Sequence, residues 1–594
     1  MGDVQLTFGR CSLEIKPIQS VLLLEGFHGS YMQTPALGMD KVANIFHHTL
    51  PEGVKVYNVI VNYRDRNSVT SFRIDRGGQD ASGEIGATDL HALIRCVAPG
   101  VIGVGGTSKE AGVLLDLLSR SGADLSRALV LAGGIHASVA PLSMLQHRAL
   151  DMVILGRADE TLPKALGLLQ KGMTQDLLTL PHTAAFVRPK AGGAGFILAD
   201  NEPVLEELNA WCNLFPDQQE YFNERRREVP TVSTQTLTIP RQSTSPDNGS
   251  SNRVRYTSSN PLEISLPQSS EQRLATWGDE IVVRAQTAEG CQYACSFCAV
   301  SALTLQGPGI SAQRYIPYNL QTFATFLNSL AQDPRIQAVP QDKLLIYLED
   351  AQVGGKPGSD YDRRSQELHS LLSAYPYRFG YQTRLDTFIE TNKDGKRSIR
   401  YDLMNQLREG NVKYLFLSLE SLDPGVLRRM SKGQDASLVE IYEVFKGLKE
   451  RDIDYMISFI GGTENEPHGS SLRTAAFIAE ILAPKNIAFE IAKVYPGTSD
   501  ARTFMKRHGI DVADAYTTGN HTTSYSNLDL PPEERGCVLQ SLSEGDAVKL
   551  HRQVSSVITR QGSLRNQFAQ NFQPLGHANY EAISPGFFSL SKRP

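Results

Sequence analysis

The chain has 594 residues, 41% hydrophobic and 21% charged, and its 59 basic and 64 acidic side chains leave a net charge of −5. That length exceeds one ordinary core and predicts two to four domains. The mixed charge gives no polycation signature for nucleic acid, and no apolar run is long enough for a membrane span.

The first 200 or so residues alternate strand and helix signals. IQSVLLLEG (18–26) is a short apolar run ending in Gly26, and residues 40–50 place Val42, Ile45, Phe46 and Leu50 on one helical face. Further strands are predicted at 54–63, 99–106, 128–134 and 151–156, with helices at 90–97, 110–122, 141–150 and 160–172. A repeated βαβα pattern implies a parallel sheet covered on both faces, a doubly wound Rossmann or flavodoxin-like domain. Four of its strands end in glycine, at Gly26, Gly105–Gly106, Gly133–Gly134 and Gly156. Ligands of open parallel sheets bind at the carboxyl ends of strands, so this edge is a candidate binding surface.

Residues 201–277 are rich in Ser, Thr, Pro, Gln and Asn and read as an interdomain linker. Strand signals resume at 280–286, 343–348, 378–383, 412–419, 453–460 and 486–494. Six βα units predict a partial (β/α)6 barrel of the TIM type over 278–500, with its chemistry at the strand carboxyl ends. Ser437 and Glu440 predict a capping box for a helix over 437–449, with Leu438, Ile441, Tyr442, Phe445 and Leu448 on one face. Residues 501–594 lose the rhythm and read as a small C-terminal cap. There Tyr516, His521 and Tyr525 are pocket candidates. The N-terminal MGDVQLTFGR has no basic-then-apolar leader pattern, so a cytoplasmic protein is the expectation.

Cysteine use is sparse. Cys11, Cys96, Cys212 and Cys537 stand alone and read as small buried hydrophobes. The other three lie within eight residues, Cys291-Gln-Tyr-Ala-Cys295-Ser-Phe297-Cys298, directly after the first barrel strand. Three uses compete. Structural zinc wants a fourth ligand that has no obvious source nearby. A redox pair of Cys295 and Cys298 leaves Cys291 idle. An iron–sulfur cube held at three corners keeps one iron open for a further ligand.

This motif, with an aromatic before the last cysteine, resembles the signature of the radical S-adenosylmethionine (SAM) superfamily. The resemblance implies that the open iron of a 4Fe–4S cluster chelates SAM and that an electron from the cluster releases a 5′-deoxyadenosyl radical. It also implies SAM contacts at Phe297, at Glu349 and Asp350 after the second strand, and at Arg384 after the third. Ser418 and Glu420 after the fourth strand and Gly461 and Gly462 after the fifth complete the set. The N-terminal segments APGVIGVGGTS, LVLAGGIHAS and DMVILGRADETLPKAL resemble the cobalamin-binding domain of the B12-dependent branch of that superfamily. This second likeness implies cobalamin contacts at Gly105, Gly106, Thr107, Ser108, Gly133, Gly134, His136, Gly156 and Glu160, with Arg64 a candidate for the lower face of cobalt. The Asp-x-His-x-x-Gly motif of mutases is missing, and His28 in EGFHGS stands at the wrong spacing.

Together the resemblances imply a cobalamin-dependent radical SAM methyltransferase acting on an unactivated carbon of a metabolite or peptide. A flavodoxin- or ferredoxin-type electron donor is implied as partner. Two alternatives stay open: a cyclase or ring-rearranging enzyme with the same cofactors, and a radical SAM enzyme whose N-terminal domain binds no cobalamin.

Overall fold

The computed structural model describes the strands and most helical turns between residues 7 and 198, without several of their connections. It then describes 274–300 apart from 278–279, 315–508 apart from 434–435, 485 and 496–497, and 542–564 apart from 543. The chain divides into two compact units, residues 1–26 with 38–267, and residues 27–37 with 268–594.

The first unit is built on a ten-stranded sheet. Its centre is β2 (Ser20–Phe27), β3 (Lys55–Asp65), β6 (Val101–Gly105), β7 (Leu129–Ala132) and β8 (Met152–Ile154). The pairs β2–β6, β6–β7 and β7–β8 are parallel. β2, β6, β7 and β8 are almost wholly buried apolar runs, as strands covered on both faces must be. Helix α1 (Leu37–Thr49) buries Ile45 and Phe46, as its periodicity predicts. Helices α2 (Leu90–Val97) and α3 (Ala158–Gln170) also fall where expected.

Antiparallel strands extend this parallel centre at both edges. β4 (Ser68–Arg76) folds back on β3 and β5 (Gly83–Ile85) on β4, both antiparallel. On the other side β9 (Thr183–Arg188) runs antiparallel to β8, and β1 (Thr7–Phe8) and β10 (Gly195–Leu198) run antiparallel to β9. Counting β2, β3, β6, β7 and β8 in chain order, the centre reads 2-1-3-4-5. That is the flavodoxin-like order, with its switch point between β2 and β6. Cys96 on α2 is exposed, not buried as its type suggests.

The second unit is a seven-stranded sheet. Its order is β11 (Ala275–Trp277), β12 (Glu280–Ala285), β15 (Leu344–Leu348), β16 (Arg378–Arg384), β19 (Val412–Glu420), β20 (Asp454–Gly461) and β21 (Asn486–Ile491). The six expected barrel strands are all present and parallel. β11 is an added antiparallel edge, so strand structure begins inside the stretch read as linker.

Strand alternation sorts this sheet into two faces. Val283, Ile346, Phe379, Leu415, Leu417, Ile457 and Phe489 join the large core under the helices. Val282, Leu345, Tyr347, Tyr414, Phe416, Met456 and Ala488 form a second apolar cluster on the opposite face, the barrel floor. The capping box at Ser437 and Glu440 is present, but Leu438 and Tyr442 are exposed, and Ile441, Val444, Phe445 and Leu448 make the buried face. Beyond residue 500, helix α4 (Glu544–Leu564) packs Ala547, Val554 and Ile558 into the barrel core, so this part of the expected cap belongs to the barrel unit.

Candidate active site

The cysteine loop leaves β12 at its carboxyl end, and its path is fixed by a buried carboxylate. Asp350, just past β15, accepts hydrogen bonds from the Thr287 amide at 2.6 Å and the Ala288 amide at 3.2 Å, and from the Thr287 hydroxyl. β13 (Ala288–Gly290) then pairs with β14 (Tyr315–Pro317), and Gly290 turns the chain at φ 72° into Cys291. Gln292 Nε2 donates to the Gly354 carbonyl at 2.8 Å. The Ser296 amide donates to Met430 O at 3.0 Å and its hydroxyl to Arg429 O at 3.1 Å. The Asp500 amide donates to Ser296 O at 3.1 Å. The segments following β15, β19 and β21 thus grip the stretch that carries the three cysteines.

Cys291 and Cys298 are half-buried, Cys295 is buried, and none of the three is in a disulfide. Burial, with added repulsion from Cys298 and Cys295, pushes the Cys291 thiol up to about 11. Three sulfurs brought together this way become thiolates only when a cationic centre binds them. Among the described residues no three His, Cys, Asp or Glu side chains are gathered tightly enough for a single metal ion. Three thiols on one short loop are the donor set of an iron–sulfur cube held at three corners, with its fourth iron left open.

At the carboxyl rim the inward positions turn from apolar to charged. Arg284 and Glu349, barely exposed, form an ion pair between β12 and β15. Arg384 at the end of β16 forks onto Asp386, Nε to Oδ1 at 2.9 Å and Nη2 to Oδ2 at 2.8 Å. Its Nη1 lies 3.4 Å from Cys295 Sγ, and its plane sits 3.8 Å over the Tyr293 ring. Burial works against the charge on Arg384, but Asp386 and the nearby sulfur hold its pKa above the ordinary arginine value. Lys432, buried, donates to Ser418 Oγ and Glu420 Oε1 at the end of β19. On β21, Glu490 pairs with Lys493 at 2.9 Å, and burial pushes its carboxyl up to about 7 against the lowering by that lysine.

The barrel residues expected near SAM therefore converge on one rim, but several hold structural partners. Both oxygens of Asp350 are used by the loop backbone and Thr287, and burial pushes it up to about 6 despite them. A Cβ on Gly461 would strike Ser471 and Phe489, and Gly462 combines a positive φ of 73° with a Cβ contact to Leu542 at 2.6 Å, so local structure already accounts for glycine at both. Phe297 lies half-buried within the cysteine loop.

In the first unit Gly105 ends β6, where a Cβ would press on Met39 of α1, and Gly133 and Gly134 follow β7, Gly134 at φ 102°. Arg64 falls in β3 and Glu160 in α3, with their side chains outside the described set. Gly106, Thr107, Ser108, His136 and Gly156 lie outside the described residues, as do His28, Tyr516, His521 and Tyr525.

Sequence reasoning missed Lys432, Tyr293, Thr287, Asp386, Glu490 and Lys493. For Glu490 a signal existed: it stands two residues after the inward Ala488, so alternation places it inward too.

No family model matches the sequence, and no curated protein matches it. Solved structures do match. One is the radical S-adenosylmethionine methyltransferase TsrM from Kitasatospora setae with cobalamin and a 4Fe–4S cluster bound, at 14% identity and TM-score 0.50, covering 82% of this chain and 75% of that one. Another is the cobalamin-dependent S-adenosylmethionine radical enzyme OxsB with aqua-cobalamin and S-adenosylmethionine bound, at 12% identity and TM-score 0.51, covering 94% and 67%. The chain thus has the α/β architecture of a radical SAM barrel preceded by a flavodoxin-like sheet. More particularly, its fold is that of the cobalamin-dependent radical SAM enzymes, as the sequence resemblance implies. Among the described residues no helix is long and apolar enough to cross a membrane.

Proposed function

We propose that this chain is a cobalamin-dependent radical SAM enzyme that transfers a methyl group to an unactivated carbon of a metabolite or peptide. The observation that carries this reading is the position of Cys291, Cys295 and Cys298: three thiols outside any disulfide, on a pinned loop at the carboxyl end of the first parallel barrel strand. The flavodoxin-like strand order, with Gly105 ending β6 at its switch point, supports a cobalamin site in the first unit. The two solved structures named above hold cobalamin, one with a 4Fe–4S cluster and the other with SAM.

When bound, these groups supply a low-potential electron, a carbon-centred oxidant made from SAM and a carrier for the methyl group. The chain's own residues do the rest. The three cysteines hold the cluster, and the loop contacts of Gln292 and Ser296 fix its position. The apolar floor of Tyr347, Tyr414, Phe416 and Met456 keeps water from below the reacting groups. The paired charges Arg284–Glu349 and Lys432–Glu420 present fixed dipoles without a net buried charge. The electron comes from a flavodoxin- or ferredoxin-type donor.

The test is anaerobic reconstitution with iron, sulfide and hydroxocobalamin, then assay of both metals and of label from methyl-labelled SAM. About four irons and about one retained corrin per chain, with label appearing in an acceptor, are expected. Retained corrin with 5′-deoxyadenosine formed but no label transferred points instead to a rearranging or cyclising enzyme. A loaded cluster without retained corrin sinks the methyltransferase reading and leaves a radical SAM enzyme whose first unit binds something else.

A further inference from the structure

We propose that Arg384 is not a SAM ligand but a hydrogen-bond donor to the Cys295 sulfur that sets the reduction potential of the cluster. The inference rests on the reading above, in that it requires a cluster on the three cysteines.

A guanidinium has five N–H donors in one plane. In Arg384 the Nε donor and one Nη2 donor are taken by the two oxygens of Asp386. The second Nη2 donor goes to the Lys432 carbonyl. One Nη1 donor points at Cys295 Sγ, 3.4 Å away. A single N–H is left. Carboxylate recognition by arginine draws its strength from two parallel N–H bonds, and this arginine has no such fork to offer.

The guanidinium is also held rigidly. Its face lies 3.8 Å over the Tyr293 ring, and its side chain is buried. Tyr293 belongs to the cysteine loop itself, so the stack joins β16 to that loop. Lys432, whose carbonyl takes the Nη2 donor, is anchored in turn through its ammonium to Glu420 and Ser418. Arginine is not deprotonated in proteins, so Arg384 is a permanent cation beside a cluster ligand.

Hydrogen bonds to the sulfurs and nearby charge are the protein's main means of moving a cluster potential. A donor to a thiolate stabilises the reduced, more negative state more than the oxidised one. Removing it lowers the potential and makes the cluster harder to reduce. Arg384 is in this sense a positioning and tuning residue, acting on the chemistry through Cys295.

The test compares wild type with Arg384→Gln after reconstitution. Iron and sulfide content, EPR-monitored redox titration and SAM affinity are measured on the same preparations. The expected result is unchanged iron content, a reduced-to-oxidised ratio at fixed potential lower by about tenfold, or 59 mV for a one-electron couple, and SAM affinity within about twofold of wild type. SAM affinity weakened tenfold or more with the ratio unmoved overturns the proposal, and so does no change in either. If Arg384→Gln holds no cluster, Arg384→Met, which keeps the chain length but neither the charge nor a donor, is read by the same pair of measurements with the same opposite outcomes. Wild-type protein that takes up no cluster fails the functional reading itself, and that failure is visible in the iron content alone.

Discussion

Lys432 Nζ donates to Glu420 Oε1 at 2.8 Å, and neither side chain is more than 7% exposed. Glu420 holds φ at 62°, a left-handed conformation that a residue with a Cβ rarely takes, where the register between β19 and β20 shifts. Such strain persists only where surrounding contacts over-determine it. The lysine also fixes Ser418, and its carbonyl takes Arg384. Lys432→Met leaves a buried carboxylate unpaired, and truncating one partner of a buried pair costs about 3–5 kcal/mol. Urea unfolding should show that loss. The double variant Lys432→Met with Glu420→Gln should recover most of it, and failure to recover would show that the lysine acts through something other than this pair.

Asp350 makes a sharper test because its network discriminates between substitutions. Oδ1 accepts from the Thr287 and Ala288 amides, and Oδ2 faces the Thr287 hydroxyl, which is able to accept as well as donate. An asparagine reproduces every bond, with its amide donating to that hydroxyl. Burial raises the folded pKa from 3.8 to about 6. The folded state therefore holds the proton more tightly, and the stability this group contributes is present below pH 4 and lost as pH rises to 6. Over two units that is about 3 kcal/mol. Asp350→Asn should abolish this component of the pH dependence and be no less stable than wild type at pH 7.5. Asp350→Ala should be destabilised at every pH by about 1–3 kcal/mol for each amide left unsatisfied. Parallel urea melts at pH 4, 5, 6 and 7.5 decide it.

What was legible in the sequence was local. The cysteine motif is readable because three ligands stand within eight positions, and the barrel strands because each is a short apolar run between turns. The edge hairpin of β3 and β4 left a signal, the alternation in SFRIDR, that five βα repeats overshadowed. The rim charges were visible as residues, but their partners were not. Arg284 and Glu349 are 65 positions apart, and Arg384 and Cys295 are 89 apart. Only the pleat and the strand register bring them together. Tyr442 reads as core by helical spacing, yet it is 43% exposed because the helix turns its 441, 444, 445 and 448 stripe to the sheet.

His369 behaves oppositely to Asp350. It is buried behind the barrel wall with Nε2 2.8 Å from Tyr381 Oη, and burial lowers its pKa to about 4. A histidine held neutral in the fold is protonated more readily when unfolded. Its contribution is present above pH 6.5 and lost as pH falls toward 4, by about 3 kcal/mol. His369→Gln, which never takes a charge, should flatten the acid limb of the stability curve. An acid limb unchanged in that variant would assign it to other groups.

Gly462 marks the junction between the barrel and its C-terminal helix. It follows β20 at φ 73°, and a Cβ there would meet Leu542 Cδ1 at 2.6 Å and Leu550 Cδ2 at 3.5 Å. Two costs add in Gly462→Ala: about 1–2 kcal/mol for a side chain in the left-handed region and about 1–3 kcal/mol for overpacking. Gly395 stands at φ 77° in the turn between β17 (Ile389–Thr391) and β18 (Arg397–Ile399), and a Cβ there would meet nothing within 4 Å. Gly395→Ala therefore carries the first cost alone. The difference between the two unfolding free energies measures the packing of the C-terminal segment against the strand end. Adding Leu542→Ala to Gly462→Ala should return part of that difference, because the methyl then occupies the space the leucine leaves. If the two glycine variants lose the same stability, α4 and the residues before it are not pressed on the β20 terminus as the geometry requires.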